Sequence, residues 1–537
     1  MAEPPARRIS RRRVLRSAVQ AAAAGAVSSA CTGGAHDAAG ADGTTAPVEP
    51  TAGSTSQPQS YRAAYHFTVP REWMNDPQRP VYVDGEYLYY YLFNADYSRQ
   101  GNGTAWRLAT TRDGVTFQDQ GIAIPKFTTP NGDVWSGSAV VDAQNTAGFG
   151  KGAVVALVTQ RDRANGDAQA QFLWYSTDRG RRFAPLGDRP VLPNPGSNDF
   201  RDPKVVRDDE RGRWVLLLAE GRKIGFYVSQ DLRSWRYTSG FTTDGIGILE
   251  CPDLFLMQTD TGEATWVLGA SANGKAAGLP NTYAYWTGAF DGGSFRPDTA
   301  EPQWLDHGFD WYAGVTWETY RDGRIDPTTR YALAWMNNWD YPHTTPTLKA
   351  DGFNGTDSVV RQVTLRRGQT GRYVLCSRPA DALGSLVAST TELGDIQVAG
   401  DRGLSFDSAA YEIQADVTWD RLDNVGMRLR TSRDGRRHVD VGVFGDHAYV
   451  NRSAAPHPPG PWTESHSPFP PGRRQVRMRV LVDRTSIEAF FDDGQYTHSH
   501  LVFPQPDDTG ISLFAQGGNA LFSGVRIREF TQGNTGS

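Results

Sequence analysis

The chain has 537 residues, 39% hydrophobic and 21% charged, with a formal net charge of -5. That length is ample for a large core and for two or more domains. The slight acidity, with Arg scattered rather than clustered beyond the first 16 positions, gives no footing for a nucleic-acid partner. Aromatic residues are abundant, with 15 Trp, 21 Tyr and 24 Phe, a usage that favours β structure and supplies rings able to stack on the apolar faces of sugars.

Arg7, Arg8, Arg11, Arg12, Arg13 and Arg16 form a basic region, followed by a weakly apolar run from Ala18 to Ala30. Ser10-Arg11-Arg12-Arg13-Val14-Leu15 resembles a twin-arginine export signal, so residues 1–31 read as an address for an extracellular protein. The apolar run is too short and too Ala-rich to span a membrane. Cys31 after Ser29-Ala30 resembles a lipoprotein cleavage site, but Ser28 stands where Leu is usual, which leaves a lipid anchor at the cell surface open. Residues 32–60, rich in Gly, Ala, Thr, Ser and Pro, read as a flexible linker. Cys251 and Cys376 remain in the folded part and could pair. A twin-arginine substrate folds before export, which favours a fold that needs no disulfide.

From 61 to 376 the pattern is short apolar runs between Gly/Asp/Asn/Pro turns, with no sustained helical period. Val81 to Phe93 is one such run; Trp106–Thr110, Ala153–Thr159, Trp214–Ala219, Ile224–Val228 and Tyr331–Trp335 are others. A small unit recurs, in which a strand leads to an Asp turn and then to an aromatic: Thr111 to Phe117, Thr177 to Phe183, Ser229 to Trp235, and loosely Phe290 to Phe295. Its Asp can bond the turn's amides while the aromatic plugs the neighbouring strand. The anchoring residues Asp113, Asp178, Asp231 and Asp291 lie 65, 53 and 60 positions apart. That spacing suits the four-stranded blade of a β-propeller, and the region is long enough for roughly five blades. A β-sandwich array or a β-helix is the alternative. Residues 377–394 read as a linker with a short helix or turn, and 395–532 as a β-sandwich domain. Tyr411–Val417, Val476–Val482 and Ser486–Phe490 alternate cleanly between apolar and polar, as sandwich strands do.

Three carboxylates stand out. Asp76 lies in Trp73-Met74-Asn75-Asp76-Pro77-Gln78-Arg79-Pro80, where proline fixes φ and holds the preceding residue extended. On its own that stretch also reads as an ordinary Asn-Asp-Pro turn. Asp202 follows Arg201 and precedes Pro203, and Glu250 lies between Leu249 and Cys251. Each falls where a blade's opening strand would begin, so in a propeller they could converge on the central channel. Glycosidic cleavage needs one protonated carboxyl and one ionised carboxylate; retention of configuration needs them about 5 to 5.5 Å apart. An apolar setting around Glu250 would keep it protonated, and Arg201 would favour ionised Asp202 or grip a sugar hydroxyl.

Trp73–Pro80, Arg201-Asp202-Pro203 and Glu250-Cys251 resemble, in order, the three signature motifs of glycoside hydrolase family 32. Trp135-Ser136-Gly137-Ser138, Trp335-Met336-Asn337-Asn338-Trp339 and Asp483 to Phe490 add to the resemblance, which runs from about Tyr65 to Glu529. It implies an all-β fold, a five-bladed propeller followed by a β-sandwich, acting on fructosides. It implies Asp76 as nucleophile, Glu250 as general acid/base and Asp202 as transition-state stabiliser. Asn75, Trp135, Ser136, Arg201 and Trp339 match substrate-contacting positions. The chemistry needs no metal or organic cofactor.

The family mostly has Asn-Gly where Gln78-Arg79 stands. Gln78 can still offer an amide to a fructose, while Arg79 would reshape or charge the nearby surface. The Gln-Arg-Pro form is similar to a bacterial, levan-active branch that includes levan fructotransferases. The expected partner is therefore fructan, either levan or fructo-oligosaccharides, with the membrane engaged only through a lipid anchor. The leading reading is a secreted, retaining levan hydrolase. A levan fructotransferase closing a difructose dianhydride, an inulin- or sucrose-cleaving fructosidase, and a non-catalytic fructan-binding protein are the alternatives.

Overall fold

The computed structural model describes residues 60–531 apart from 369 and 458. The export signal and Cys31, and all but the last residue of the 32–60 linker, lie outside the described residues. The described chain is almost entirely β, and none of its helices is long and apolar enough to cross a membrane.

Five antiparallel sheets follow one another along the chain. Their opening strands are Glu72–Val83, Gly137–Asp142, Arg201–Asp208, Leu249–Gln258 and Tyr312–Arg321. In the first four blades the second and third strands are the most buried, as in Glu86–Asn94 or Arg213–Glu220. A sheet covered on both faces by its neighbours carries apolar side chains at successive positions rather than at alternate ones. That is why the sequence shows these strands as continuous apolar runs. The run from Val81 to Phe93 is two strands, broken by a hairpin at Asp84 (φ 49°) and Gly85 (φ 89°), the left-handed pair that a tight two-residue turn requires.

The recurring Asp turn joins the third and fourth strands of the first four blades. The Oδ1 of Asp113 accepts from the N–H groups of Val115 and Thr116 at 2.8 and 2.7 Å, and Asp231 and Asp291 repeat the pattern. Phe117, Phe183 and Phe295 are buried behind it. The ring closes where segment 353–357, which connects the second and third strands of the fifth blade, lies against 67–73 at the entry to the first, with Glu72 and Trp73 paired to Phe353 and Asn354.

The segment expected as a linker, 377–394, is structured throughout. Ser377–Pro379 completes the strand Tyr373–Pro379 of the fifth blade, Asp381–Leu386 is a 3-10 turn, and a long strand Val387–Gly403 begins at once. The remaining strands form one continuous folded sheet, which the long strand Gly510–Phe530 carries from one layer to the other around a buried aliphatic core. Cys251 and Cys376 are both free thiols.

The sandwich is tied to the propeller by buried charge. Asp483 accepts from the N–H groups of Ala64 and Tyr65 at 2.8 and 3.1 Å and lies 2.8 Å from Nδ1 of His66. Nε2 of His66 lies 2.9 Å from Glu488, which also accepts from Val359 N–H at 2.9 Å and from Arg361. Arg361 reaches Asp306 at 2.8 Å, and Arg452 reaches Asp310 at 2.7 Å.

Candidate active site

The opening strands of four blades begin with a break in pairing. Register shifts fall between Met74 and Pro77, opposite Arg201–Lys204, between Glu250 and Asp253, and between Tyr312 and Val315. Asp202 (φ 58°), Cys251 (φ 49°) and Ala313 (φ 52°) adopt left-handed backbone at these breaks. A bulge re-aims side chains that a regular strand would send to alternate faces, and bulges gather beside active sites. Here they turn Asp76, Asp202, Cys251 and Glu250 toward one point at the mouth of the channel.

Asp76 is partly exposed and held on both oxygens. Ser136 Oγ donates to Oδ2 at 2.6 Å and the Asn75 amide donates to Oδ1 at 3.1 Å. Asn75 is fixed in turn by Trp73 Nε1 at 2.9 Å. Burial raises the Asp76 pKa, the Ser136 hydrogen bond opposes it, and the charge of Glu250 adds to the rise. Asp202 is buried; its N–H donates to Thr159 Oγ1 at 3.0 Å and its Oδ2 accepts from Cys251 N–H at 3.0 Å. Burial, then the charge of Glu250, push Asp202 up to about 7 against the pull of Arg201. The Cys251 thiol lies 3.9 Å from Asp76 Oδ2 and 3.8 Å from Asp202 Oδ2, so both carboxylates approach one sulfur.

Glu250 differs from its expected setting. Leu249 points into the blade core, because neighbours along a strand face opposite ways. Glu250 faces polar groups: its Oε1 accepts from Arg201 Nε and Nη2 at 3.2 and 2.9 Å, and its Oε2 from Tyr312 Oη at 2.5 Å. Arg201 therefore clamps Glu250 rather than contacting Asp202, with Asp199 on its other side. Tyr312 is the residue that sequence reasoning missed. It opens the fifth inner strand, 62 positions after Glu250, so the blade period that placed the carboxylates marks its place too.

Gln78 braces the site. It is 1% exposed, its Oε1 accepts from Gly137 N–H at 2.7 Å and its Nε2 donates to the Asp76 carbonyl at 3.0 Å. This ties the backbone of Asp76 to the second blade, a placement different from the expected one of offering the amide to a sugar. Arg79 does not lie on the surface as expected. It is buried one layer below, against Glu318, in a cluster where Lys204 meets Asp253 and Arg330 lies 3.6 Å from Glu318. Pro80 next to it and strand alternation relative to Gln78 send its side chain down the channel. Burial and the neighbouring Arg79 lower the Lys204 ammonium to about 7.

Trp135 and Trp339 flank the group without bonding Asp76, Asp202 or Glu250. Trp135 Nε1 donates to Asp133 at 2.9 Å and its ring carries the Arg161 guanidinium at 5.1 Å. Trp339 is 45% exposed, 5.0 Å from the Trp335 ring, which lies 5.9 Å from Trp73, so it ends an aromatic wall that runs to Asn75. Such a wall presents ring faces on which a sugar can stack.

Residues 66–379 match the model of the glycosyl hydrolases family 32 N-terminal domain, and 382–529 that of the family's C-terminal domain. The chain is 53% identical over 481 residues to a levanbiose-producing levanase of Bacillus subtilis (strain 168), covering 89% of this chain and 92% of the relative. It is 53% identical over 399 residues to a levanbiose-producing levanase of Geobacillus stearothermophilus, covering 73% of this chain and all of the relative (100%). Among solved structures, the exo-inulinase of Aspergillus awamori superposes with a TM-score of 0.78 at 25% identity, covering 88% of this chain and 99% of that one.

Proposed function

We propose, from the fact that the chain belongs to glycosyl hydrolases family 32, that it is a secreted hydrolase of the β-2,6-fructosyl linkages of levan, working with retention through a fructosyl-enzyme. The observation that carries the reading is the unequal treatment of carboxylates gathered at one point. Asp76 receives two hydrogen bonds that favour its ionised form, as a nucleophile requires. Glu250 sits opposite, oriented by Arg201 and Tyr312, to give a proton to the leaving oxygen and then take one from water. Asp202 is placed to accept sugar hydroxyls as positive charge develops on the ring. The two levanbiose-producing relatives support levan as polymer and levanbiose as product.

Chromatography of products from levan, inulin and sucrose tests the reading. Levanbiose or fructose from levan, formed first as the β-anomer, is the expected result. A non-reducing cyclic disaccharide instead would establish intramolecular transfer. Asp76→Asn removes the nucleophile and should abolish turnover of levan while leaving the fold intact. Export rests on the arginine-rich start: Arg11→Lys with Arg12→Lys should hold the enzyme inside expressing cells, and Cys31→Ser should release it from the cell surface if it is lipid-anchored.

A further inference from the structure

The outer edge of the sandwich carries a group unrelated to the catalytic carboxylates. Strands His447–Asn451 and Glu464–Pro468 pair antiparallel, with Tyr449 opposite His466 and Asn451 opposite Glu464. Alternation sends Ala448, Val450, Ser465 and Ser467 inward, and they are buried. His447, Glu464 and His466 are left together on the outer face. The two imidazole centroids lie 4.1 Å apart with the rings tilted by 34°, His466 Nε2 lies 2.7 Å from Glu464 Oε1, and one ligand atom from each of the three falls within 4.8 Å of the others.

Two further contacts orient this set. The Asp446 carboxylate lies 3.2 Å from His447 Nδ1, which places the proton on Nδ1 and frees the Nε2 lone pair. The Asn451 amide donates to Glu464 Oε2, which leaves Oε1 to face the imidazoles. Two imidazoles and a carboxylate on paired strands, with outer partners on His447 and Glu464, make a donor set for a divalent transition ion with one position open to water. Calcium and magnesium take oxygen donors and would not select it.

We propose that His447, His466 and Glu464 form a surface site for a zinc-class divalent ion. The site staples strands that flank Pro459 and Trp462, which reach the propeller rim: Thr344 Oγ1 donates to the Pro459 carbonyl at 2.9 Å, and Trp462 Nε1 to Asp340 at 3.2 Å. Glu464 and His466 also line a cavity of about 220 Å³ with Lys275, Asn338, Asp340 and Trp462. Bound metal therefore strengthens the contact between sandwich and rim. The sequence hides the set because its two histidines lie on different strands, far from the spacing of a metal motif.

The test is calorimetric titration of the untagged, metal-stripped full chain with Zn²⁺, repeated with Co²⁺ read by its visible absorption, and with thermal unfolding followed at each end point. Saturable binding of one ion and a higher midpoint are expected. His447→Ala and His466→Ala should each weaken binding by at least about tenfold, and Asp446→Asn by about tenfold, with unchanged levan turnover showing that they fold. Absence of saturable binding, or equal binding by His447→Ala, His466→Ala and the parent, would overturn the site; the three side chains would then only guard an edge strand against pairing.

Discussion

At the residue scale the site is a set of carboxylates that repel one another. Burial and mutual charge raise both Asp76 and Asp202, and single hydrogen bonds decide how far. Ser136 donates to Asp76 and holds its pKa down, so Ser136→Ala should move the acid limb of kcat/KM to higher pH in a pH–rate series. Asp202 has a folded-state value near 7, above its unfolded one, so it favours folding fully at low pH and that contribution is lost as pH rises through 7. At pH 8 Asp202→Asn should raise stability by about 1–3 kcal/mol in denaturant melts while removing turnover. The carboxylates themselves were legible in the sequence because proline and arginine bracket them within short motifs. Their surroundings were not: Tyr312 and Thr159 come from other blades, and Leu249, adjacent in sequence to Glu250, faces away from it.

At the element scale the inner strands are the informative ones and the hardest to read. Middle strands such as Arg213–Glu220 are buried on both faces and announce themselves. The inner strands Arg201–Asp208 and Tyr312–Arg321 turn one face to the channel, so polar residues and bulges interrupt their pattern. Arg79 shows the cost of that ambiguity, since only the course of its strand reveals that it points inward to Glu318. Arg79→Met should leave Glu318 with Arg330 alone and destabilise the propeller by about 2 kcal/mol, less than a fully buried pair because Glu318 is 28% exposed; chemical denaturation measures it. It should also remove the Arg79 repulsion that adds to burial in lowering the Lys204 pKa, which should rise.

At the scale of the whole molecule the sandwich acts as a partner to the first strand. The run Asp483 to Phe490 added to the family resemblance, and its two carboxylates, Asp483 and Glu488, prove to be the clamp on residues 64–66. Burial pushes the His66 pKa down, but hydrogen bonds to Asp483 and Glu488 outweigh it and lift it to about 9. Because that value exceeds the unfolded one, the clamp contributes fully below about pH 6.5 and weakens as pH rises through 9. Thermal midpoints should fall across that window, and His66→Asn should start lower and flatten the dependence. Glu488, lowered to about 2 by Arg361 and His66 against its burial, contributes fully above its ordinary value of 4.5 and loses that share progressively as pH falls toward 2.

The same clamp sets an order in time. Ala64 lies 419 positions before the carboxylate that receives its N–H. During synthesis on the ribosome, the segment leading into the first blade waits for nearly the entire remaining chain to emerge before its polar groups find partners. Five blades can form in sequence, each from local strands, but the ring's seam stays unsecured until Asp483 and Glu488 arrive. A chain cut between the propeller and the sandwich would lose more than an accessory domain: it would expose the buried ends of Arg361 and His66 together. The last part translated is thus what completes the first part folded.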